Sequence, residues 1–344
     1  MEKPTLLIDK TIQKIELIHL TTGVNIKVKE KTPKDKYRSM FMYIMNFLCL
    51  DTDIVGSILW FSKGLYEHRP LTELTYVGPC LVLSLLSNIK IYYMLAKEKT
   101  IDVLIENMRK LENEQAERMD NEEIRMIIKT EDDHLNKVIA ILKIFYSLLL
   151  IGFALSPLTL ILLNYLSTNK VELLLPFLIV YPFDALDMRY YPWVYIKQIW
   201  SGEYIKELIS NVCAADFMFY IFCSYLRTQF RLLGYNIEHN IVSQTNYEIV
   251  ATERIRSNLV DLIKWHQQLK CCVDLLESIY TKSTLFNFVS SSILICFTGF
   301  NVMTIDDIAY VLTFLCFLMM SLLQIYFLCS FGDLLMESVS SYLV

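Results

Sequence analysis

Long apolar runs separated by charged stretches dominate the 344-residue chain. A helix that crosses a bilayer needs roughly 20 mostly apolar residues, and five runs meet that requirement: 74–95, 138–163, 204–228, 283–303 and 308–331. A sixth run, 40–62, is also apolar but carries Asp51 and Asp53 near its middle. A carboxylate at the centre of a span costs about 2.5–3.5 kcal/mol on insertion, so this span is marginal. The pattern predicts an all-α, polytopic transmembrane helix bundle with about six spans.

The distribution of Lys and Arg indicates whether 40–62 crosses the membrane. If it does, the N-terminus and the connections 96–137 and 229–282 share one side and hold 23 Lys and Arg, against 5 on the other side. If it does not, each side holds 14. Cytoplasmic connections carry an excess of positive charge. We therefore expect a cytoplasmic N-terminus over 1–39 and a transmembrane domain over 40–331.

The predicted cytoplasmic connections have helical periodicity of their own. One apolar stripe consists of Ile101, Leu104, Ile105, Met108 and Leu111. A second alternates steps of four and three residues, as in a coiled coil, and consists of Ile255, Leu259, Leu262, His266, Leu269, Val273, Leu276 and Tyr280. The pattern predicts long cytoplasmic helix extensions, with an anchor helix over 245–282. We expect this helix to pack on a neighbouring extension or on a second subunit.

The connection 164–203 is the longest on the predicted outer side. It contains Pro182, Pro192 and five tyrosines, Tyr165, Tyr181, Tyr190, Tyr191 and Tyr195. Long connections in compact proteins are usually folded and functional, which predicts a folded lid rather than a slack linker. Anchoring of aromatic rings at the membrane interface would explain the same composition.

Composition agrees with a membrane protein and gives no sign of catalysis. The chain is 54% hydrophobic and 20% charged, and its net charge of −5 gives no reason to expect nucleic acid as a partner. Its five histidines are scattered, and it has no His-Glu-x-x-His motif and no Gly-rich phosphate loop. The acidic run EDDH at 131–134 is expected to be a solvated helix face. We expect no enzymatic activity, no metal and no cofactor.

Ionisable side chains inside the spans would mark an ion or proton path. Lys143, Lys206 and Arg227 lie near span ends, where long side chains reach the interface. Lys90 lies towards the cytoplasmic end of its span, and we expect it to reach the interface or to pair with a carboxylate. The four groups form no ladder along the bundle, so the sequence does not predict a relay.

Two familiar classes of multi-span protein fit the chain poorly. A G-protein-coupled receptor would have its N-terminus outside, and the chain lacks Asp-Arg-Tyr at the inner end of the third span and Asn-Pro-x-x-Tyr anywhere. A transporter would show internal repeats or broken helices. Pro79 and Pro157 lie within two spans, but no repeat is visible.

Five segments resemble those of the insect odorant receptors in their order and spacing. They are CLDTDIVGSILW at 49–60, LTELTYVGPCLVLSLLSNIK at 71–90, YPFD at 181–184, CAADFMFYIFCSYLRTQFRLLGYNI at 213–237 and FGDLLMES at 331–338. They are similar to the approach to the first span, the second span with its inner Lys, the second outer loop, the fourth span with its exit, and the motif after the sixth span. Each is degenerate alone, but together they cover most of the chain.

The resemblance implies a function and a set of partners. Members of this family form ligand-gated cation channels in the plasma membrane of sensory neurons, together with an olfactory co-receptor, and their cytoplasmic extensions join the subunits. The implied partners are a small volatile odorant or pheromone, the co-receptor in a hetero-oligomer, and membrane lipid. A gustatory-receptor-like chemoreceptor of the same architecture is the alternative.

The family has seven spans, of which the last lines the pore. This chain ends soon after the sixth, so the resemblance implies a subunit without its pore helix, in which 332–344 is a truncated cytoplasmic tail. An incomplete gene model, a splice form and a decaying gene copy are the open explanations. A non-conducting fragment is a further alternative.

In this family the ligand lies among the outer halves of the second, third, fourth and sixth spans. Depth and helical spacing select the residues of this chain that would line such a pocket. They are Tyr76, Cys80 and Leu83 on the second span, Phe153, Ser156 and Leu160 on the third, Leu208 and Val212 on the fourth, and Tyr310, Phe314 and Phe317 on the sixth. An apolar pocket with a few polar groups suits a small volatile molecule.

Overall fold

The computed structural model describes residues 8–12, 33–115, 121–169, 173–175, 179–181, 183–242, 250–305 and 308–340. Most of these residues belong to long helices: α1 (Pro33–Tyr66), α2 (Leu71–Ala96), α3 (Glu98–Gln115), α4 (Glu122–Thr168), α5 (Tyr191–Val242), α6 (Val250–Thr304) and α7 (Ile308–Ser340). No strand occurs among the described residues. The all-α prediction is confirmed.

The connections between the helices alternate between the two ends of the bundle. The α1–α2, α4–α5 and α6–α7 connections contribute to one cavity, and we call their end the outer end and the opposite one the inner end. Three described helices are long and apolar enough to cross a membrane, Glu73–Ala96, Arg256–Thr304 and Tyr310–Ser340, and Pro157–Ser167 is a shorter apolar helix.

An additional layer covers the inner end. The predicted stripe on α3 is confirmed, since Ile101, Leu104, Ile105, Met108 and Leu111 are all buried. The segment 8–12 is one helical turn that packs beside this stripe. Its Ile8 amide donates to the Glu112 carboxylate at 3.1 Å, and Asp9 lies 2.8 Å from the guanidinium of Arg109. Segment 8–12 and α3 therefore lie at the same end of the bundle, as the predicted topology requires.

The inner half of α6 packs with a different face from the predicted one. With 55 residues the helix is about 80 Å long, far longer than the roughly 30 Å of a bilayer core. Its buried positions are Leu262, Trp265, Leu269, Cys272, Leu276 and Ile279, together with Tyr280. Of the predicted stripe, Leu262, Leu269, Leu276 and Tyr280 are buried within the chain, His266 and Val273 are half-buried, and Leu259 is 44% exposed. The side chain of Ile255 lies outside the described part.

The rotation of this face has a simple cause. Burying the large indole ring of Trp265 removes more apolar surface from water than burying His266 does. The helix therefore turns Trp265 inwards, against the core that α3 and α5 share with it.

The bounds of one predicted connection are also corrected. The outer connection is shorter than 164–203, because α4 continues to Thr168 and α5 begins at Tyr191. The Asp187 carbonyl accepts hydrogen bonds from the amides of Tyr190 and Tyr191, at 2.9 and 2.8 Å, and so starts α5 early. The predicted tail 332–344 is helical as far as Ser340, and the described part of the anchor helix begins at Val250, since 243–249 lie outside the described residues.

One buried carboxylate joins four helices. Lys90 of α2 is only 1% exposed, and its ammonium lies 2.8 and 2.9 Å from the two oxygens of Asp216 on α5. The Gln324 amide of α7 donates to Asp216 at 2.6 Å and to Asn287 of α6 at 3.3 Å. We call these four residues the Asp216 cluster. The expectation that Lys90 pairs with a carboxylate is confirmed.

A second buried carboxylate contradicts an expectation. Glu131 belongs to the EDDH run that was expected to be solvated, yet it is 4% exposed. Its carboxylate lies 3.0 Å from Arg227 and 2.5 Å from Arg231, and so ties α4 to α5 near the inner end. Asp133 and His134 are exposed, as expected. The two arginines follow far later in the chain, so the local pattern around Glu131 carried no sign of them.

Close packing and further polar contacts hold α2 between its neighbours. The Asn88 amide donates to Asp51 of α1 at 2.8 Å, which partly compensates the carboxylate that made the first span marginal. The Thr75 hydroxyl donates to the side-chain oxygen of Asn301 on α6 at 2.8 Å. Gly78 faces the ring of Phe297, and a Cβ at position 78 would meet that ring at 2.8 Å.

We expect Gly78→Ala to destabilise the protein, because the added methyl group overlaps the Phe297 ring. Gly299→Ala is the matched control, since its Cβ would meet nothing within 4 Å. Both substitutions raise helix propensity equally, so the difference between them isolates the contact with Phe297. Overpacking of this kind costs about 1–3 kcal/mol. Thermal unfolding in detergent measures it, and equal midpoints for the two variants would refute the predicted contact.

We expect the loss of Asp216 to destabilise the protein more than the loss of Lys90. Asp216→Leu leaves a buried ammonium without its carboxylate and should cost about 3–5 kcal/mol. Lys90→Met should cost less, because Gln324 still donates to the carboxylate. The double variant should be more stable than Asp216→Leu alone. A double-mutant cycle of thermal unfolding measures these differences, and strictly additive losses would contradict the pairing.

Candidate ligand-binding site

A cavity of about 640 Å³ opens at the outer end of the bundle. Its walls come from the end of α1, the start of α2, the α4–α5 connection and the α6–α7 turn. The residues that line it include Trp60, Lys63, Arg69, Glu73, Tyr76, Leu173, Leu174, Leu175, Ile179, Val180, Tyr181, Phe183, Asp184, Ala185, Leu186, Ile305 and Tyr310. Because most of these side chains are apolar or aromatic, the cavity suits an apolar ligand.

The α4–α5 connection forms a folded lid over this cavity. The Tyr191 hydroxyl donates to the Leu174 carbonyl at 2.9 Å, and the Gln198 amide donates to the Tyr181 hydroxyl at 3.1 Å. The lid also rests on α1 at Gly56, where an added Cβ would overlap the side chain of Ile179. Only glycine allows this approach. The described part of the connection is folded, in agreement with the predicted lid.

Aromatic rings stiffen the lid. Phe183 lies between Tyr181 and Tyr190, with ring centroids 5.4 and 5.2 Å from theirs.

Burial raises the pKa of Tyr191, and burial together with the neighbouring Tyr191 raises the pKa of Tyr195 to about 12. Both phenols therefore remain protonated at physiological pH and keep their capacity to donate hydrogen bonds.

The rim of the cavity carries charges of both signs. The Arg69 guanidinium lies 5.2 Å from the ring centre of Trp60 and donates to Glu67 at 3.0 and 2.8 Å. Glu73 and Asp184 are exposed carboxylates beside it. Because each sign is balanced by the other, the rim favours neither strongly anionic nor strongly cationic ligands.

Three predicted residues meet at the floor of the cavity. The ring centroid of Tyr76 lies 5.2 Å from that of Tyr310 and 5.3 Å from that of Phe314, with interplanar angles of 88° and 87°. In this geometry the positive edge of one ring faces the negative face of another, which is a favourable arrangement. This ring contact joins α2 to α7. The backbones of these two helices pack chiefly against other helices and not against each other.

Below this floor, α2 and α7 present matching rows towards the bundle interior. The α2 row is Tyr76, Cys80, Leu83, Ser87 and Lys90, and the α7 row is Tyr310, Phe314, Phe317, Ser321 and Gln324. Both rows step by four, three, four and three residues from the outer end inwards. Each begins with a tyrosine at the cavity and ends with a side chain of the Asp216 cluster.

The other predicted site residues lie in these rows, elsewhere in the core or outside the described part. Leu83, Leu160, Phe314 and Phe317 are buried, and Cys80 is half-buried against the core. Only Tyr76 and Tyr310 of the predicted set also line the cavity. The side chains of Phe153, Ser156, Leu208 and Val212 lie outside the described part.

Sequence reasoning missed the lid and α1 as walls of the cavity. Trp60 was noted only as part of a motif, and the apolar segment 173–175 carries no periodicity that would direct it to a site. The aromatic cluster around Tyr181 was the one usable signal. It predicted a folded connection but not what that connection covers.

Comparisons with known proteins identify the family. The family model described as 7tm Odorant receptor matches residues 71–341, which is most of the chain. Odorant receptor 67c of Drosophila melanogaster is 23% identical over 323 residues, covering 92% of this chain and 76% of that protein. Putative odorant receptor 92a of the same species is 22% identical over 308 residues, covering 89% and 72%.

A solved structure shows the same fold. The insect olfactory receptor OR5 from Machilis hrabei superimposes with a TM-score of 0.71 at 16% identity, covering 96% of this chain and 80% of that chain. Its complex with eugenol gives a TM-score of 0.70 at 16% identity, covering 94% and 79%. The family resemblance seen in the sequence is confirmed, and so is a multi-pass membrane architecture. The chain therefore belongs to the 7tm odorant receptor family.

Proposed function

We propose that this chain is an odorant receptor subunit that binds a small, mostly apolar volatile molecule in its outer half. The ligand enters through the outer cavity and lies against the rows of α2 and α7. One observation carries the proposal: the cavity ends on the rings of Tyr76 and Tyr310, and Phe314 packs against Tyr76 behind them. Aromatic rings with hydroxyl groups offer apolar contact and hydrogen bonds to the same ligand.

The size of the cavity supports this class of ligand. Ligand pockets commonly measure roughly 300–1,000 Å³, and the observed 640 Å³ lies within that range. Burial of apolar surface contributes about 25 cal/mol per Å², so a small volatile gains most of its binding free energy by leaving water. OR5, which shares the fold, is known in complex with eugenol. A small aromatic alcohol of that kind is a reasonable first probe for this chain.

The remaining pocket residues belong to the same proposal. We place Cys80 and Leu83 below Tyr76 on α2, and Phe317 below Phe314 on α7. The walls from α4 and α5 are proposed as Phe153, Ser156 and Leu160, and Leu208 and Val212. Ser156 is the one side chain of these two walls that can hydrogen-bond to a polar group of the ligand.

The proposed assembly is a ligand-gated cation channel formed with the olfactory co-receptor in the plasma membrane of sensory neurons, with the N-terminus in the cytoplasm. The inner half of α6 supports a subunit contact, because Leu259, Val260 and Ile263 are 43–49% exposed there. Apolar side chains grouped on one exposed face favour contact with a partner. The excess of Lys and Arg on the inner connections supports the orientation.

The test is expression with the co-receptor in cells that lack other receptors. Cation current is recorded during exposure to a panel of volatiles that includes eugenol, with the co-receptor alone as control. Binding is measured separately, as a ligand-induced rise of the thermal midpoint of the purified chain. Absence of both current and binding, despite delivery to the cell surface, would refute the proposal. Responses to water-soluble tastants without the co-receptor would favour a gustatory-like receptor.

We expect Tyr76→Ala to raise the half-maximal concentration for an activating volatile by about tenfold or more, because it removes the central ring of the floor. Tyr92→Ala is the matched control on the same helix, since Tyr92 is 68% exposed and lies away from the cavity. Concentration–response curves measure both variants. An equal effect of the two substitutions would show that the floor is not the binding surface.

A further inference from the structure

A single carboxylate holds both rows of the proposed pocket at their inner ends. The α2 row ends at Lys90 and the α7 row ends at Gln324, and both side chains bind Asp216 of α5. The shortest nitrogen–oxygen distances are 2.8 Å for Lys90 and 2.6 Å for Gln324. Because both rows bind the same carboxylate, the separation of α2 and α7 at this depth depends on one aspartate side chain.

Two buried hydroxyl groups near Lys90 form no comparable polar contact with the described residues. Ser87 lies one turn above Lys90 and Ser291 lies on the adjoining helix α6, and both hydroxyls are fully buried. Neither forms a hydrogen bond with any described residue. The contacts of Asn88 with Asp51 and of Thr75 with Asn301 hold α2 to α1 and to α6 instead. Lys90 thus ties α2 to Asp216 of α5 and, through that carboxylate, to Gln324 of α7.

We propose that Asp216 is a positioning residue that sets the width of the ligand pocket, and hence the size of the ligand that it accepts. This inference rests on the proposed function, because it takes the rows of α2 and α7 as pocket walls. When the carboxylate loses its charge, Lys90 loses its partner and the inner half of α2 is free to move away from α7. A wider gap then favours larger ligands over smaller ones.

The selectivity test uses a series of 4-alkylphenols from methyl to hexyl. The phenol ring can pack on the aromatic floor in every member, so the alkyl tail is the part that tests how large a ligand fits between α2 and α7. We expect Asp216→Asn to change the ratio of half-maximal concentrations between the hexyl and methyl members by about tenfold or more, since one methylene in an apolar pocket is worth that much. Lys90→Arg keeps the charge pair and should leave the ratio near that of the unsubstituted receptor.

Glu131→Gln is the matched control. Glu131 is also a buried carboxylate that binds two partners, but it joins α4 to α5 near the inner end. It should lower stability without changing the selectivity ratio. The exchange Lys90→Asp with Asp216→Lys should restore the ratio, because the Gln324 amide can turn its oxygen towards the new ammonium. A shift in Glu131→Gln equal to that in Asp216→Asn would overturn the proposal.

A second measurement does not depend on any odorant response. Cysteines are placed midway along the two rows by Leu83→Cys and Phe317→Cys, in a background whose native cysteines are replaced by serine or alanine. Bifunctional methanethiosulfonates of increasing length then report the spacing of α2 and α7. We expect the preferred length to increase with Asp216→Asn and to stay the same with Glu131→Gln.

The two measurements separate the proposals. If the unsubstituted receptor ignores every volatile, the proposed function fails, and cross-linking alone decides whether Asp216 sets the spacing. An unchanged preferred length in Asp216→Asn overturns the positioning role, whatever the receptor binds. Where Asp216→Asn is not delivered to the membrane, Lys90→Gln releases the same contact of α2 and is tested in its place.

Discussion

An ammonium group and a carboxylate in apolar surroundings are both strongly disfavoured unless each finds the other, and the centre of this bundle is organised by that requirement. Lys90 and Asp216 are 1% and 6% exposed, and they lie 2.8 Å apart. Gln324 donates to both Asp216 and Asn287, and so brings α7 and α6 to the same point. Four helices from distant parts of the chain are thereby fixed relative to one another at one depth in the bundle. The positions of their outer and inner halves depend on this point.

In the outer half of the bundle, close packing and hydrogen bonds hold the helices together, because apolar side chains there contact lipid as favourably as they contact each other. Helix association in a membrane relies on close packing and hydrogen bonds, because lipid tails are as apolar as leucine. Gly78 lets Phe297 approach the α2 backbone, and Thr75 and Asn301 exchange two hydrogen bonds at the outer end. These contacts join α2 to α6, while α2 and α7 meet through aromatic rings. The pocket is proposed where helices meet through side chains, because side chains can yield to a ligand more easily than packed backbones.

The inner layer follows the rules of soluble proteins. Its helix α3 buries an apolar stripe and exposes charged residues, so its packing is driven by the removal of apolar surface from water. Near the same end of the bundle, Glu131 and its two arginines tie α4 to α5. The lid at the other end obeys a third rule. Its described residues form no long helix, and tyrosine hydroxyls and ring contacts hold them in place.

The sequence by itself determined the helical class, the alternation of ends, the stripe on α3, the tyrosine pair of the floor and the family. These features follow from local periodicity, composition and motif order, which each segment carries alone. Tertiary structure alone decided that Asp216 is the partner of Lys90, that Trp265 faces inwards while Leu259 faces out, and that Trp60 lines the cavity. Such choices depend on contacts between residues that are far apart in the chain, 126 positions in the case of Lys90 and Asp216. A periodic pattern predicts the buried face of a helix only to within part of a turn. The exact rotation of the helix depends on the size and charge of the side chains on the neighbouring helices.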